Sequence, residues 1–344
     1  METQNKFVPY TRQQPVVLDP SFFPALRTVD AVMRGVNKNV LINCWGGIGD
    51  QVCSEPTIRH AIHNFKDCKI TIATTLPELF QHLPYHDLYD LKKERPIHDD
   101  YWVCEPIPNQ SPQNLAAQFI SHMVMNCVDF PAVSAFRMQL PIKDREIVLK
   151  PKTPTNEVVL DIVKEAAKHV VVHPGRHWVS KTFPAAWYNR GLASIIKEGF
   201  IPVLIGKEDG PTQGTVNVDV SGCIDLREKT TLNDTIWLLQ NTGVLICNDS
   251  SPLHMAASGK AWIGFFASVK HPDFITHWRN GQWSWRMQNL SVDGIYNHFN
   301  FCPNTETDLL LDNVEESLVL RCLPEPEIIG PWCKEKMDDY FRSI

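Results

Sequence analysis

The chain has 344 residues, 43% of them hydrophobic and 21% charged, with a formal net charge of −6. That length exceeds one domain of ~100 to 200 residues and suits two, each able to bury its own core. The acidic balance excludes a protein coated with positive charge for nucleic acid, though not a local basic groove, and no run of ~18 apolar residues is present to span a bilayer.

Residues 1–38 carry Pro9, Pro15, Pro20 and Pro24 and read as an N-terminal extension, too rich in breakers for regular structure before residues 27–35. The first fourteen residues are polar and lack the apolar core of a signal peptide, so the expected location is cytoplasmic. Residues 39–45, Asn-Val-Leu-Ile-Asn-Cys-Trp, predict a buried strand. Gly46-Gly47-Ile48-Gly49-Asp50 is the turn after it, and the helix that follows has apolar residues at Val52, Ile58, Ala61, Ile62 and Phe65. This turn does not complete a dinucleotide fingerprint, because Val52 stands where the third glycine belongs. The second strand, residues 69–74, leads into Thr75 and offers no acid for a ribose. Asp50 is either the cap of its helix or a base aimed at a ligand.

Residues 39–150 form the first domain, and the stretch 148–156, with two prolines and little apolar content, reads as a linker. From residue 157 to about 310 strand and helix alternate. A strand from Val170 ends in His173-Pro174-Gly175-Arg176, and Lys181 precedes a helix opening at Pro184. A lysine beside a helix N-terminus is poorly placed with respect to the dipole, which favours a functional reading over a surface one. Residues 201–206 form a further buried strand ending in Gly206, and residues 225–233 lead into a helix over 234–240. Val244 to Cys247 predict a short strand running into Asn248-Asp249-Ser250-Ser251-Pro252-Leu253-His254. With Pro252 at the first helical position, Asp249, Ser250 and Ser251 fall at the cap, where free backbone N–H groups and the helix dipole favour an anion. Taken alone, this is also how an ordinary capped helix looks. Residues 311–344 form a C-terminal tail with an amphipathic stretch over 314–322 and a last segment over 334–343.

Ten cysteines occur without Cys-x-x-Cys spacing and read as buried free thiols, which fits a reducing compartment and argues against a zinc cluster. The pairs His60/His63, His82/His86 and His271/His277 lack an acidic partner in a metal-binding pattern, so no metal site is expected and most histidines read as surface or half-buried. His254 and His173 read first as packed residues. Trp178, Trp278, Trp283 and Trp285 are more simply core than stacking platforms.

His173-Pro174-Gly175, Lys181 before Phe183-Pro184, Gly206, the segment from Leu226 to Leu232, and the run from Asn248 to Ala256 together resemble the C-terminal half of glycosyltransferase family 9, the family of the ADP-heptose lipopolysaccharide heptosyltransferases. The turn Gly47-x-Gly49-Asp50 is similar to that family's N-terminal Gly-Asp motif. One departure is Ser251, where the family usually has glycine, which leaves the donor's identity open. The resemblance implies an α/β chain of GT-B architecture, two Rossmann-like domains facing across a cleft, with the nucleotide sugar held by the second. It implies Asp50 as general base, with Gly47 and Gly49 on the acceptor side. The donor side would be His173, Arg176, Lys181, Gly206, Asp249, Ser250, Ser251 and His254. It further implies inverting, metal-independent transfer with no cofactor beyond the nucleotide sugar, to a lipopolysaccharide, lipid-linked or other surface glycan. A hydroxymethylated base in DNA is the alternative acceptor, provided that Arg59, Lys66, Lys69, Lys92, Lys93 and Arg95 cluster. A catalytically silent nucleotide-sugar binder is the reading of a different class. In two-domain transferases of this architecture the last helix often returns to the first domain.

Overall fold

A computed structural model describes residues 39–96, 101–107, 126–175, 181–207, 218–268, 270–279, 282–294 and 316–343. Arg176 and Trp178 lie outside the described residues, as does the N-terminal extension. The chain divides into two units, one running to residue 153 and adding 273–284, the other taking 154–272 and 285–344.

The first unit is built on strands β1 (Asn39–Cys44), β2 (Lys69–Thr74), β3 (Asp87–Asp90) and β4 (Trp102–Cys104). They form a parallel sheet in the order β3-β2-β1-β4. Val40, Leu41 and Ile42 of β1 are wholly buried. A parallel strand covered on both faces needs such a continuous apolar run. The helix Ile48–Asn64 connects β1 to β2. It keeps Glu55 fully buried by giving one carboxylate oxygen to Arg59 Nε at 2.8 Å and the other to the Val148 N–H at 2.9 Å. A buried carboxylate is tolerated on those terms, with its charge answered and its lone pairs used.

The second unit contains β5 (His169–Val172), β6 (Ile201–Leu204), β7 (Ile224–Asp225), β8 (Val244–Asn248) and β9 (Trp262–Phe266). The short strands β10 (Trp278–Arg279) and β11 (Gln282–Trp283) form an antiparallel hairpin that belongs to the first unit. The chain then completes the second sheet with β12 (Met287–Asn289), giving a parallel order β12-β9-β8-β5-β6-β7. In both sheets the strand that opens the unit is central, the next two lie to one side, and the chain then crosses to the other. The reversal falls between β1 and β4 in one sheet and between β5 and β8 in the other, and ligands of open α/β sheets sit beyond the strand ends at that reversal.

The helix Leu232–Asn241 starts two residues before the predicted position, with Thr231 as its cap and Asp234 returning a bond to the Thr231 N–H at 3.0 Å. The last helix, Ile329–Arg342, belongs to the second unit. It packs on the helix Ala185–Lys197, where the Gly330 N–H donates to Ser194 Oγ at 2.9 Å, and nearby Trp187 Nε1 donates to the Pro324 carbonyl at 2.9 Å.

Candidate active site

In the second unit, His173 follows β5 directly and β8 ends in Asn248, at the two strands that flank the reversal. The His173 N–H continues the sheet by donating to the Ile246 carbonyl at 2.9 Å. Its ring places Nδ1 at 3.2 Å from Ser250 Oγ and 3.3 Å from Asn248 Oδ1. Gly206, just beyond β6, has φ +108°, and a Cβ there would lie 2.7 Å from the His173 ring. Only glycine supplies that backbone and that clearance together.

Asp249 follows β8 and is 4% exposed. Lys181 Nζ donates to Asp249 Oδ2 at 2.6 Å, and His254 Nε2 lies 3.8 Å from Asp249 Oδ1. Burial pushes the Asp249 carboxyl up, but Lys181, Lys270 and His254 outweigh it and hold the group down at about 2. Asn248 Nδ2 donates to the backbone carbonyl of Lys181. The loop before the helix Ala185–Lys197 is therefore tied to the end of β8 twice, by backbone and by side chain. Lys181 is 14% exposed at its side chain, so it is a partly buried cation and not a surface lysine.

The helix after β8 starts at Ser251, with Ser250 as its N-cap residue and Pro252 at the second helical position, one place later than the sequence suggested. Proline is tolerated at either place because the first N–H groups of a helix have no partner within it. Ser250 makes no side-chain cap bond. Its hydroxyl is spent on His173 and on the Asn248 carbonyl at 3.3 Å. This helix is six residues long, and His254, 7% exposed, lies within it.

At the corresponding place in the first unit, Gly46 has φ +96° and Gly47 is the N-cap residue of Ile48–Asn64. Gly49 lies in the first turn. Asp50 Oδ2 accepts from the Gly47 N–H at 2.9 Å, and a Cβ on Gly46 would come within 2.8 Å of the same oxygen. Asp50 thus caps its own helix and stays half-buried at the sheet end. Nothing in the sequence marks Gln51, yet this buried side chain fixes the turn. Gln51 Nε2 donates to the Gly46 carbonyl at 3.1 Å and to Thr75 Oγ1 at 2.9 Å, while Thr74 Oγ1 donates to Gln51 Oε1 at 2.5 Å. The Thr74-Thr75 pair at the end of β2, where a dinucleotide site would carry an acid, is the other half of that bracket.

The histidines are more buried than their spacing suggested, with His60, His169, His173, His254 and His277 all under 9% exposed. His60 also has an acidic partner distant in sequence, Asp144, whose Oδ2 lies 2.7 Å from Nδ1. Arg59, one of the basic residues considered for a nucleic-acid surface, is turned inward onto Glu55 and the Glu146 carbonyl at 2.5 Å, and Lys93 pairs with Asp90 at 3.2 Å. Trp278 is buried, whereas Trp285 is 49% exposed with its ring edge against Trp262. The nine described cysteines form no disulfide, and burial pushes the Cys44 thiol up to about 12 and Cys322 to about 11, so neither is a nucleophile near neutral pH. Cys53, Cys127 and His277, which share no local motif, bring their ligand atoms within 4.8 Å of one another.

Comparison with known proteins gives a match over residues 109–291, just over half of the chain, to the family described as Glycosyltransferase family 9 (heptosyltransferase). Among curated proteins none matches. Among solved structures, a glycosyl transferase family 9 protein from Veillonella parvula is similar with a TM-score of 0.56 at 10% identity, over 88% of this chain and 98% of that one. The iron-containing dodecameric glycosyltransferase TibC from enterotoxigenic E. coli is similar with a TM-score of 0.56 at 14% identity, over 90% of this chain and 77% of that one. The ADP-heptose lps heptosyltransferase II of E. coli is similar with a TM-score of 0.50 at 14% identity, over 82% and 99%. At such identities the structural likeness speaks for the fold, the α/β class of the GT-B glycosyltransferases.

Proposed function

This chain belongs to glycosyltransferase family 9 and is a glycosyltransferase, and on that footing we propose that it moves a sugar from a nucleotide-sugar donor to an acceptor hydroxyl, with inversion and without a metal at the reacting centre. The observation that carries this reading is the Lys181–Asp249 pair, 2.6 Å long, at the reversal of the second sheet. When the glycosidic bond breaks, the leaving diphosphate gains negative charge. A cation already fixed in place stabilises that state more than the ground state, because no reorganisation is needed at the moment of reaction. Asp249 and Asn248 do the fixing. Asp249 also has a second oxygen for sugar hydroxyls, and His173 with Ser250 completes a polar wall beside it.

Asp50 is the base in this reading. The Gly47 N–H holds one carboxylate oxygen in position, and a carboxylate has lone pairs left to accept a proton from the attacking hydroxyl. If Asp50 activates the acceptor directly, the sugar is transferred in a single displacement and its anomeric configuration inverts. The first donor to test is an ADP-sugar, since TibC has a structure described as a complex with ADP-D-beta-D-heptose. A lipid-linked or surface glycan is the favoured acceptor. Arg59 is already committed to Glu55 and to the Glu146 carbonyl, which thins the basic set that a DNA acceptor would use. No helix among the described residues is long and apolar enough to cross a membrane.

The test is thermal stabilisation by a panel of nucleotide sugars and bare nucleotides. One donor is expected to raise the melting temperature of the wild type and of Asp50→Ala but not of Lys181→Ala, and Asp50→Ala is expected to bind without turning over. A wild type indifferent to every nucleotide sinks the donor reading.

A further inference from the structure

We propose that Cys53, Cys127 and His277 form a structural site for a thiophilic divalent cation of the zinc class. Their ligand atoms all lie within 4.8 Å of one another, and Cys127 Sγ stands 3.8 Å from His277 Nε2. Bonds of ~2.3 Å to sulfur and ~2.0 Å to imidazole nitrogen at tetrahedral angles put a sulfur and a nitrogen about 3.6 Å apart and two sulfurs about 3.8 Å apart. The set therefore has to close by about 1 Å at most to hold the ion. Two thiolates and an imidazole are soft donors, which select zinc-like ions over magnesium or calcium.

The three residues come from separate parts of the first unit. Cys53 lies on the helix Ile48–Asn64, Cys127 in the turn before the helix Asp129–Phe136, and His277 in the segment 273–284. All are buried, at 4%, 6% and 0% exposure. Hydrogen bonds to backbone groups tie the Cys127 turn to the segment that carries His277, independently of an ion. The Cys127 N–H donates to the Phe274 carbonyl at 2.8 Å, and Asn126 Nδ2 donates to the carbonyls of Asp273 at 3.1 Å and Thr276 at 2.8 Å. On the other side of His277, its carbonyl accepts from the Ser284 N–H at 3.0 Å. A prepositioned ligand set has little ordering left to do on binding. The enclosure makes the site structural, and the remaining coordination position goes to water or a further donor. Binding releases the two thiol protons to solvent and pins the segment 273–284 to the helix that carries Asp50.

The experiment uses the full chain, purified without a metal-affinity tag and analysed by elemental mass spectrometry. Zinc is expected in equimolar amount with protein. After stripping by a chelator under reducing conditions, added cobalt(II) is expected to give a thiolate-to-metal charge-transfer band and the intense visible bands of a tetrahedral site. Zinc added to the stripped protein is expected to release about two protons per ion and to raise the melting temperature. Cys127→Ser and His277→Ala are expected to weaken cobalt binding by at least ~10-fold, and Cys68→Ser to leave it unchanged. Should those variants fold poorly, the wild-type spectrum and proton release still decide. Absence of a thiolate band in the stripped wild type overturns the proposal, as does a band that survives in both Cys53→Ser and Cys127→Ser. Recovery of Cys53 and Cys127 joined to each other as a disulfide also overturns it. Three buried side chains packed as small hydrophobes would give the first of these results.

Discussion

The two sheets start with the same strand order and reverse at the same place, yet the loops at their reversals are charged differently, a lone carboxylate in one and a lysine–carboxylate pair in the other. Beyond β1 the turn is made of glycines and one half-buried carboxylate, Asp50, held by a single N–H from its own helix start. Beyond β5 and β8 a carboxylate is also present, but Asp249 is buried and serves to fix a lysine. Topology supplies an equivalent strand-end position in each unit, and the side chains there differ; in the proposed reaction Asp50 accepts a proton while Lys181, fixed by Asp249, meets the leaving anion. A transferase needs both, since one partner loses a proton as the other departs as an anion.

The largest expected effect breaks the first half of that comparison. Asp50→Asn keeps an oxygen for the Gly47 N–H but loses the basic carboxylate. Its kcat should fall by about 10²- to 10⁴-fold while donor binding stays and the melting temperature barely moves. Unchanged turnover in this variant would leave Asp50 as a cap alone. Gly206→Ala strikes the second half. Its φ of +108° and the His173 ring 2.7 Å from a new Cβ should together cost about 2 to 3 kcal/mol in urea unfolding and weaken donor binding. Gly199→Ala has a φ of +91° and nothing within 4 Å, so strain alone should cost about 1 kcal/mol with donor binding intact. Equal behaviour of the two variants would mean that the His173 contact contributes nothing.

Much of this was legible in the chain. The strand over 69–74 appears with those same ends, and the one over 39–45 loses only Trp45; Val40-Leu41-Ile42 reads as the apolar run of a parallel strand buried on both faces, while Ile70, Ile72 and Ala73 mark the other among β-branched threonines. The residue types of the second site were legible too, but not their pairing. Lys181 and Asp249 are 68 positions apart, and only the adjacency of β5 and β8 makes them neighbours. Gln51 was missed for the same reason, since its partners Thr74 and Thr75 lie at the end of another strand. The thiols and imidazole at positions 53, 127 and 277 defeat any reading based on local spacing. The last helix's partner was equally illegible, since the helix Ala185–Lys197 on which it packs lies far away in sequence.

The remaining prediction concerns acid and the buried carboxylate of Asp249. Asp249 titrates at about 2 in the folded chain against an ordinary value of 3.8, so its folded form binds protons more weakly than its unfolded form. A depressed carboxyl contributes stability that is complete above the unfolded value and is lost as pH falls from there through the folded one. The window is thus roughly pH 4 down to 2, and the contribution is about 2 kcal/mol at neutral pH. Asp90, Asp225 and Glu327 are also held low by hydrogen bonds and positive neighbours, and Asp219 by hydrogen bonds from Ser221, so the wild-type acid limb is a sum. The difference between wild type and Asp249→Asn isolates the one group. Urea unfolding of both across that range should show the stability gap narrowing as the pH drops. A constant gap would mean that Asp249 does not draw its stability from the charge of Lys181, and the positive half of the comparison would lose its foundation.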